Sequence, residues 1–204
     1  MNDFIILFLF LSLSWQNDGR TNKLIKDFPK VENKSYIADL KTSNGKLVHL
    51  VEKDSITLVQ WKIGSQTKNF ECPFASYDHE AWQLSVHDEN KDYIVLRAGC
   101  GNPCWYGLFL PLYENGEPKL IDDYIAYDLN QNYVAYFNEN DSLEVLNLRT
   151  FKTEAFKTEK CSPANKTYCI GSVHFKKKEI IIKWIKDGSI NSKKGLYFYK
   201  KLKI

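Results

Sequence analysis

The sequence has no Gly-x-Ser-x-Gly elbow, no His-Glu-x-x-His pair and no glycine-rich phosphate loop. The local signatures of serine hydrolases, zinc peptidases and nucleotide-binding proteins are therefore missing. Paired Cys-x-x-Cys spacing is missing too, and His79 and His174 stand far apart in the chain, so no metal site and no cofactor are expected. No twelve-residue window carries a convincing 3.6-residue apolar period, which removes amphipathic helices; only Asn22–Phe28 has the makings of a helical turn. A concentrated basic face is also lacking. The 204 residues hold 28 Lys and Arg against 25 Asp and Glu, a formal charge of +3. The densest runs, Lys176-Lys177-Lys178, Lys193-Lys194 and Lys200-Lys201, adjoin strand-like segments and read as solvated turns or edges, so nucleic acid is not an expected partner.

What is present begins at the N-terminus. Phe4–Leu13 is an apolar run broken only by Ser12. Spanning a bilayer takes roughly 20 apolar residues, so the run suits the apolar core of a secretory signal. Ser12 and Ser14 are small residues at the −3 and −1 positions of a cut before Trp15, although Met1-Asn2-Asp3 brings no Lys or Arg. No Cys follows the run, which argues against a lipoprotein anchor. The expected organisation is a signal peptide over 1–14, an N-terminal extension over 15–34 and one β-rich domain over 35–204. Removing residues 1–14 takes away one acid, Asp3, and leaves a formal charge of +4. The expected location is periplasmic or secreted, without stable membrane insertion after cleavage. In a eukaryotic host, Asn33-Lys-Ser35, Asn140-Asp-Ser142 and Asn165-Lys-Thr167 would match the glycosylation acceptor pattern.

An oxidising compartment makes disulfides the default for close cysteines. Cys100-Gly-Asn-Pro-Cys104 closes a short turn, and Cys161 and Cys169 flank a turn-rich loop. The expected bridges are Cys100–Cys104 and Cys161–Cys169, with Cys72 outside both; a bridge from Cys72 to Cys100 or Cys104 is the rival.

Strand patterns dominate the rest of the chain. Lys46–Val51 follows Asn44-Gly45, a strong hairpin signal, and Asn115-Gly116 marks a second such turn. Ile56–Ile63, Trp82–His87, Tyr124–Leu129, Tyr133–Phe137, Leu143–Leu148, Ile170–Phe175, Ile180–Ile185 and Leu196–Leu202 all read as strands. Tyr93–Arg97 and Trp105–Tyr113 are more continuously apolar and so more deeply buried. Similar segments start at Gly45, Lys91, Gln131 and Lys178, which are 46, 40 and 47 residues apart. That period is close to one four-stranded propeller blade, and Tyr133–Phe156 is the most blade-like stretch. The expected fold is all-β, made of antiparallel hairpin repeats, propeller-like with about four blade-like units; a β-sandwich is the alternative.

Candidate chemistry is sparse. Ser76, Asp78, His79 and Glu80 crowd into one short stretch that reads as a polar turn, because catalytic triads draw their members from separate elements. Cys100 has the surroundings of a nucleophile only if it is not bridged. Asp122 and Asp123, adjacent on a strand, would point to opposite faces. No catalytic residue is expected. Most of the 12 Phe, 12 Tyr and 5 Trp belong in a core. Trp105 and Tyr106, beside Asn102 in the cysteine turn, are the exception: held there, they suit an exposed anchor of the type that dominates protein interfaces. The expected function is that of an exported binding protein, an inhibitor or immunity-type protein whose partner is a toxin or hydrolase. A secreted enzyme with loop-borne residues and an envelope assembly subunit are the alternatives. N-terminal sequencing of the protein from its native host is expected to begin at Trp15; an intact Met1 on soluble protein overturns the export expectation.

Overall fold

The computed structural model describes residues 35–53, 56–72, 83–101, 104–138, 140, 142–157, 169–177, 179–185 and 197–204. The chain divides into two units, Met1–Glu32 and Asn33–Ile204, and all described residues belong to the second. Their alternating sequence folds as four open sheets, each an up-and-down meander of consecutive antiparallel strands. The first holds β1 (Ser35–Lys41), β2 (Leu47–Lys53), β3 (Ile56–Ile63) and β4 (Gln66–Cys72). The second holds β5 (Ser85–Glu89), β6 (Tyr93–Gly101), β7 (Cys104–Pro111) and β8 (Lys119–Ile121). The third holds β9 (Tyr124–Asp128), β10 (Tyr133–Phe137), β11 (Leu143–Asn147) and β12 (Thr153–Phe156). The fourth holds β13 (Ile170–Lys176), β14 (Glu179–Ile185) and β15 (Tyr197–Lys203). No α-helix occurs among the described residues. The fold is all-β, in hairpin repeats of four blade-like units.

The repeat has a structural meaning. The four similar segments supply β2, β6, β10 and β14, the second strand of every sheet. The blade-like stretch Tyr133–Phe156 is β10, β11 and β12.

Three apolar clusters join successive sheets. Val48, Leu50, Val59 and Trp61 of the first sheet meet Ile94, Leu96, Leu108 and Leu110 of the second. From the opposite face of the second sheet, Tyr93, Val95 and Phe109 meet Val134, Leu146 and Leu148. Ala135, Leu143 and Val145 then meet Ile180, Ile182 and Trp184. Successive residues of a strand point to opposite faces, so a strand buried on both must be apolar at every position. That is why Tyr93–Leu96 of β6 and Leu108–Pro111 of β7 read as unbroken apolar runs. By contrast β14 alternates buried and half-buried residues, as a strand with one covered face does.

One end of the first three sheets is laced by hydrogen bonds. Trp61 Nε1 donates to the Pro111 carbonyl at 2.8 Å, tying the first sheet to the second. In the turn between β1 and β2, the Ser43 hydroxyl and the Asn44 N–H, the latter at 2.6 Å, donate to Glu89 at the end of β5. Asn90 Nδ2 donates to the Leu129 carbonyl at 3.0 Å, tying the second sheet to the third.

Several sequence expectations need correction. Asp122 and Asp123 do not sit on a strand; they make the turn between β8 and β9, with Asp123 at φ 46°. The first strand of the second sheet begins at Ser85, after Gln83 and Leu84, which are not in it, while Trp82 lies outside the described residues; His87 occupies a bulge between Val86 and Asp88. Asn115-Gly116 lies inside a longer connection from Leu112 to Pro118. The Asn22–Phe28 helical turn and the signal segment lie outside the described residues.

The hairpin between β11 and β12 carries a cost. Asn147 Oδ1 accepts from the Arg149 and Thr150 amides, and the Phe151 N–H closes the turn on the Asn147 carbonyl at 2.9 Å. This puts Phe151 at φ 57°, the left-handed region where glycine is at ease and a bulky side chain is not. Phe151→Gly is therefore expected to stabilise the fold by about 1 kcal/mol, read from the urea midpoint. An unchanged or lower midpoint overturns the strain assignment.

Candidate functional site

At the end opposite the laced turns, β6 and β7 run out toward the Gly101–Cys104 hairpin. Their register pairs Arg97 with Gly107 and Gly99 with Trp105, so Arg97 and Trp105 are diagonal neighbours on the face turned to the third sheet. The Arg97 guanidinium carbon lies 3.4 Å from the centroid of the Trp105 ring. Trp105 nevertheless keeps 40 % of its surface in solvent. An Arg–Trp stack of this kind is worth about 0.5–1 kcal/mol at an exposed site, which biases the indole toward this orientation.

Glycine at 107 makes room for the next layer. A Cβ there would lie 2.8 Å from the Tyr124 ring, so only a bare backbone lets Tyr124 of β9 lie across β7. Tyr124 packs on Phe109 and Tyr127 at centroid separations of 6.2 and 5.7 Å. The Tyr127 hydroxyl donates to Asp88 Oδ2 at 3.1 Å, and His87 meets the Tyr127 ring edge-on. Burial, then the positive charge of Arg97, push the His87 pKa down, so the imidazole is neutral at physiological pH. For Tyr124 and Tyr127, burial raises the phenol, and the charge of Arg97 pulls the other way.

The anchor residues separate here. Trp105 is exposed. Tyr106, on the opposite face of β7, is half-buried, its phenol raised by burial and by the charge of Asp122. Asn102, the side chains of Cys100 and Cys104, Cys161, and the stretch from Ser76 to Glu80 lie outside the described residues. Cys72 is buried in the first cluster. Cys169 is buried in the third and is disulfide-bonded, its partner lying outside the described side chains. Arg97, Gly107, Tyr124, Tyr127 and His87 join Trp105 without any local motif; only the β6–β7 and β7–β9 placements bring them together.

A second polar constellation crosses the first sheet. Strand register puts Asp39, His49, Gln60 and Asn69 in one row. His49 Nδ1 lies 2.5 Å from Asp39 Oδ1, and Gln60 Nε2 donates to Asn69 Oδ1 at 2.6 Å. An imidazole oriented by a carboxylate is half of a nucleophile-activating relay. Here His49 is only 5 % exposed and the row holds no Ser, Thr or Cys to activate, so it reads as a structural polar row running from buried His49 and Gln60 out to exposed Asn69. Among the described residues, no cluster of three or more His, Cys, Asp or Glu could hold a metal ion.

The chain matches no protein-family model, no curated protein and no solved structure.

The Asp122–Asp123 turn joins β8 to β9, with Asp122 near enough to Tyr106 for its charge to raise that phenol. Burial raises both carboxyl groups, and for Asp123 the neighbouring Asp122 adds to the rise. A carboxyl whose folded pKa is raised binds its proton more readily folded than unfolded, so it costs stability as pH climbs past the ordinary carboxylate range. Asp123→Asn removes that cost, and asparagine tolerates the left-handed backbone. The variant is expected to melt higher than the parent at neutral pH and at the same temperature once both carboxyls are protonated. A difference that does not shrink on acidification overturns the assignment.

Proposed function

We propose that the protein is an exported binding protein, an inhibitor or immunity-type protein that engages a toxin or hydrolase in the periplasm, and that Trp105 is the anchor of its contact surface. The observation that carries this reading is an exposed tryptophan held flat against Arg97. Trp and Arg are the side chains that most often dominate interface energies, and they do so from fixed positions. A pre-oriented indole loses little conformational freedom on binding, so more of its burial counts toward affinity. Export is supported by the Phe4–Leu13 run and the serines that follow it.

The test has two stages. The mature protein, immobilised, is used to isolate a stoichiometric partner from the envelope fraction of its native host, and titration calorimetry then compares variants. Trp105→Ala is expected to weaken the complex by about 2 kcal/mol, close to 30-fold. Lys119→Ala is expected to leave it unchanged. Equal affinity of the Trp105 variant and the parent overturns the surface.

A further inference from the structure

We infer that Arg97 receives a carboxylate, the side chain of an Asp or Glu on the partner protein, and so supplies the polar half of the contact whose apolar half is Trp105. This rests on the binding reading above. It adds the chemistry of what is bound.

Arg97 carries a permanent charge in a partly buried position. Its Nε is shut away from water and donates to no partner among the described residues. Among the described residues no carboxylate pairs with it. Asp88, an acid of the same layer, is occupied by the Tyr127 hydroxyl at 3.1 Å and by the Glu89 N–H at 2.8 Å. The Trp105 ring lies against the face of the guanidinium, so an incoming carboxylate meets the fork from its edge, at the terminal nitrogens. A half-buried cation without an anion is costly, and the cost is recovered when a carboxylate arrives in the plane of the fork. The surroundings are prepared for this. His87 stays neutral, so no second cation crowds Arg97, and the hydroxyl of Tyr127 keeps Asp88 from turning toward it.

The same surroundings select which anion. A protein surface can cover the exposed Trp105 ring while its acid meets Arg97, which a free phosphate cannot do.

The experiment uses the mature chain labelled with nitrogen-15. The probe is N-acetylglutamate α-amide, which has one free side-chain carboxylate, and inorganic phosphate is the comparison. The Arg97 Nε–H and the Trp105 indole N–H are followed by nuclear magnetic resonance. A saturable shift of both signals with the blocked glutamate, larger than with phosphate at equal concentration, is expected. Arg97→Gln, planar and neutral, should keep the fold and abolish the shift of the indole signal; Arg97→Lys should keep the charge but weaken the response, for want of the bidentate fork. With the isolated partner, Arg97→Gln is expected to cost at least about 10-fold in affinity. No saturable shift with the carboxylate, an equal shift in Arg97→Gln, or tighter binding of phosphate overturns the assignment. These outcomes are independent of the Trp105→Ala comparison, so a failed titration beside intact Trp105-dependent binding removes the carboxylate receptor alone.

Discussion

Burial of the second sheet on both of its faces is the constraint on which the remaining architecture depends. Ile94, Leu96, Leu108 and Leu110 look one way and Tyr93, Val95 and Phe109 the other. Each such side chain contributes about 1.5–3 kcal/mol when fully removed from water. A sheet of this composition cannot stand alone, so it requires the first sheet against one face and the third against the other. The third sheet repeats the requirement more weakly, with Val134 and Leu146 on one face and Ala135 and Val145 on the other, and so brings in the fourth. The clusters pair the sheets in chain order, first with second, second with third and third with fourth.

That arrangement makes the two ends of the strands unequal. At one end Glu89, Asn90 and Trp61 fasten turns of neighbouring sheets to one another. At the other, β6 and β7 end in their hairpin, and Arg97 and Trp105 stand where the apolar layer between the second and third sheets gives out. The inner part of that layer, Val95 and Phe109, is fully buried. Two residues further along the same strands, the same face carries a guanidinium and an indole. The site is thus the outer continuation of the core, and its rigidity is borrowed from it.

Strain is placed differently. Phe151 holds a left-handed backbone conformation while 40 % of its surface is exposed, and Lys119 reaches over its ring at 5.8 Å. It adds nothing to a core, unlike the aromatic residues of the candidate site. Asp123 and Asn132 adopt similar angles without comparable penalty, since their short polar side chains suit them.

Fold class was legible in the sequence because strand period and turn chemistry are local. β3 and β10 run over the residues their patterns mark, and the recurring segment at Gly45, Lys91, Gln131 and Lys178 falls on the same strand of every sheet. The edge strands were less legible. β1 and β4 flank the first sheet with polar residues such as Asp39, Lys68 and Asn69, and β8 is three residues long. Such segments are strands because a neighbour offers them a ladder, not because their own residues demand it. Of the candidate site, Trp105 could be picked out beside its turn. Arg97 could not be, since only cross-strand register sets it against the indole. Gly107 looked like any glycine until Tyr124, from another sheet, needed its missing side chain. Asp122 and Asp123 read as a strand pair and became a turn, because β8 stops at Ile121 to let the chain pass from the second sheet to the third. The sequence by itself determined where strands and hairpins form, through contacts a few residues apart. Which faces meet, and so which side chains share the exposed end, was decided only when burial of the second sheet brought distant strands together.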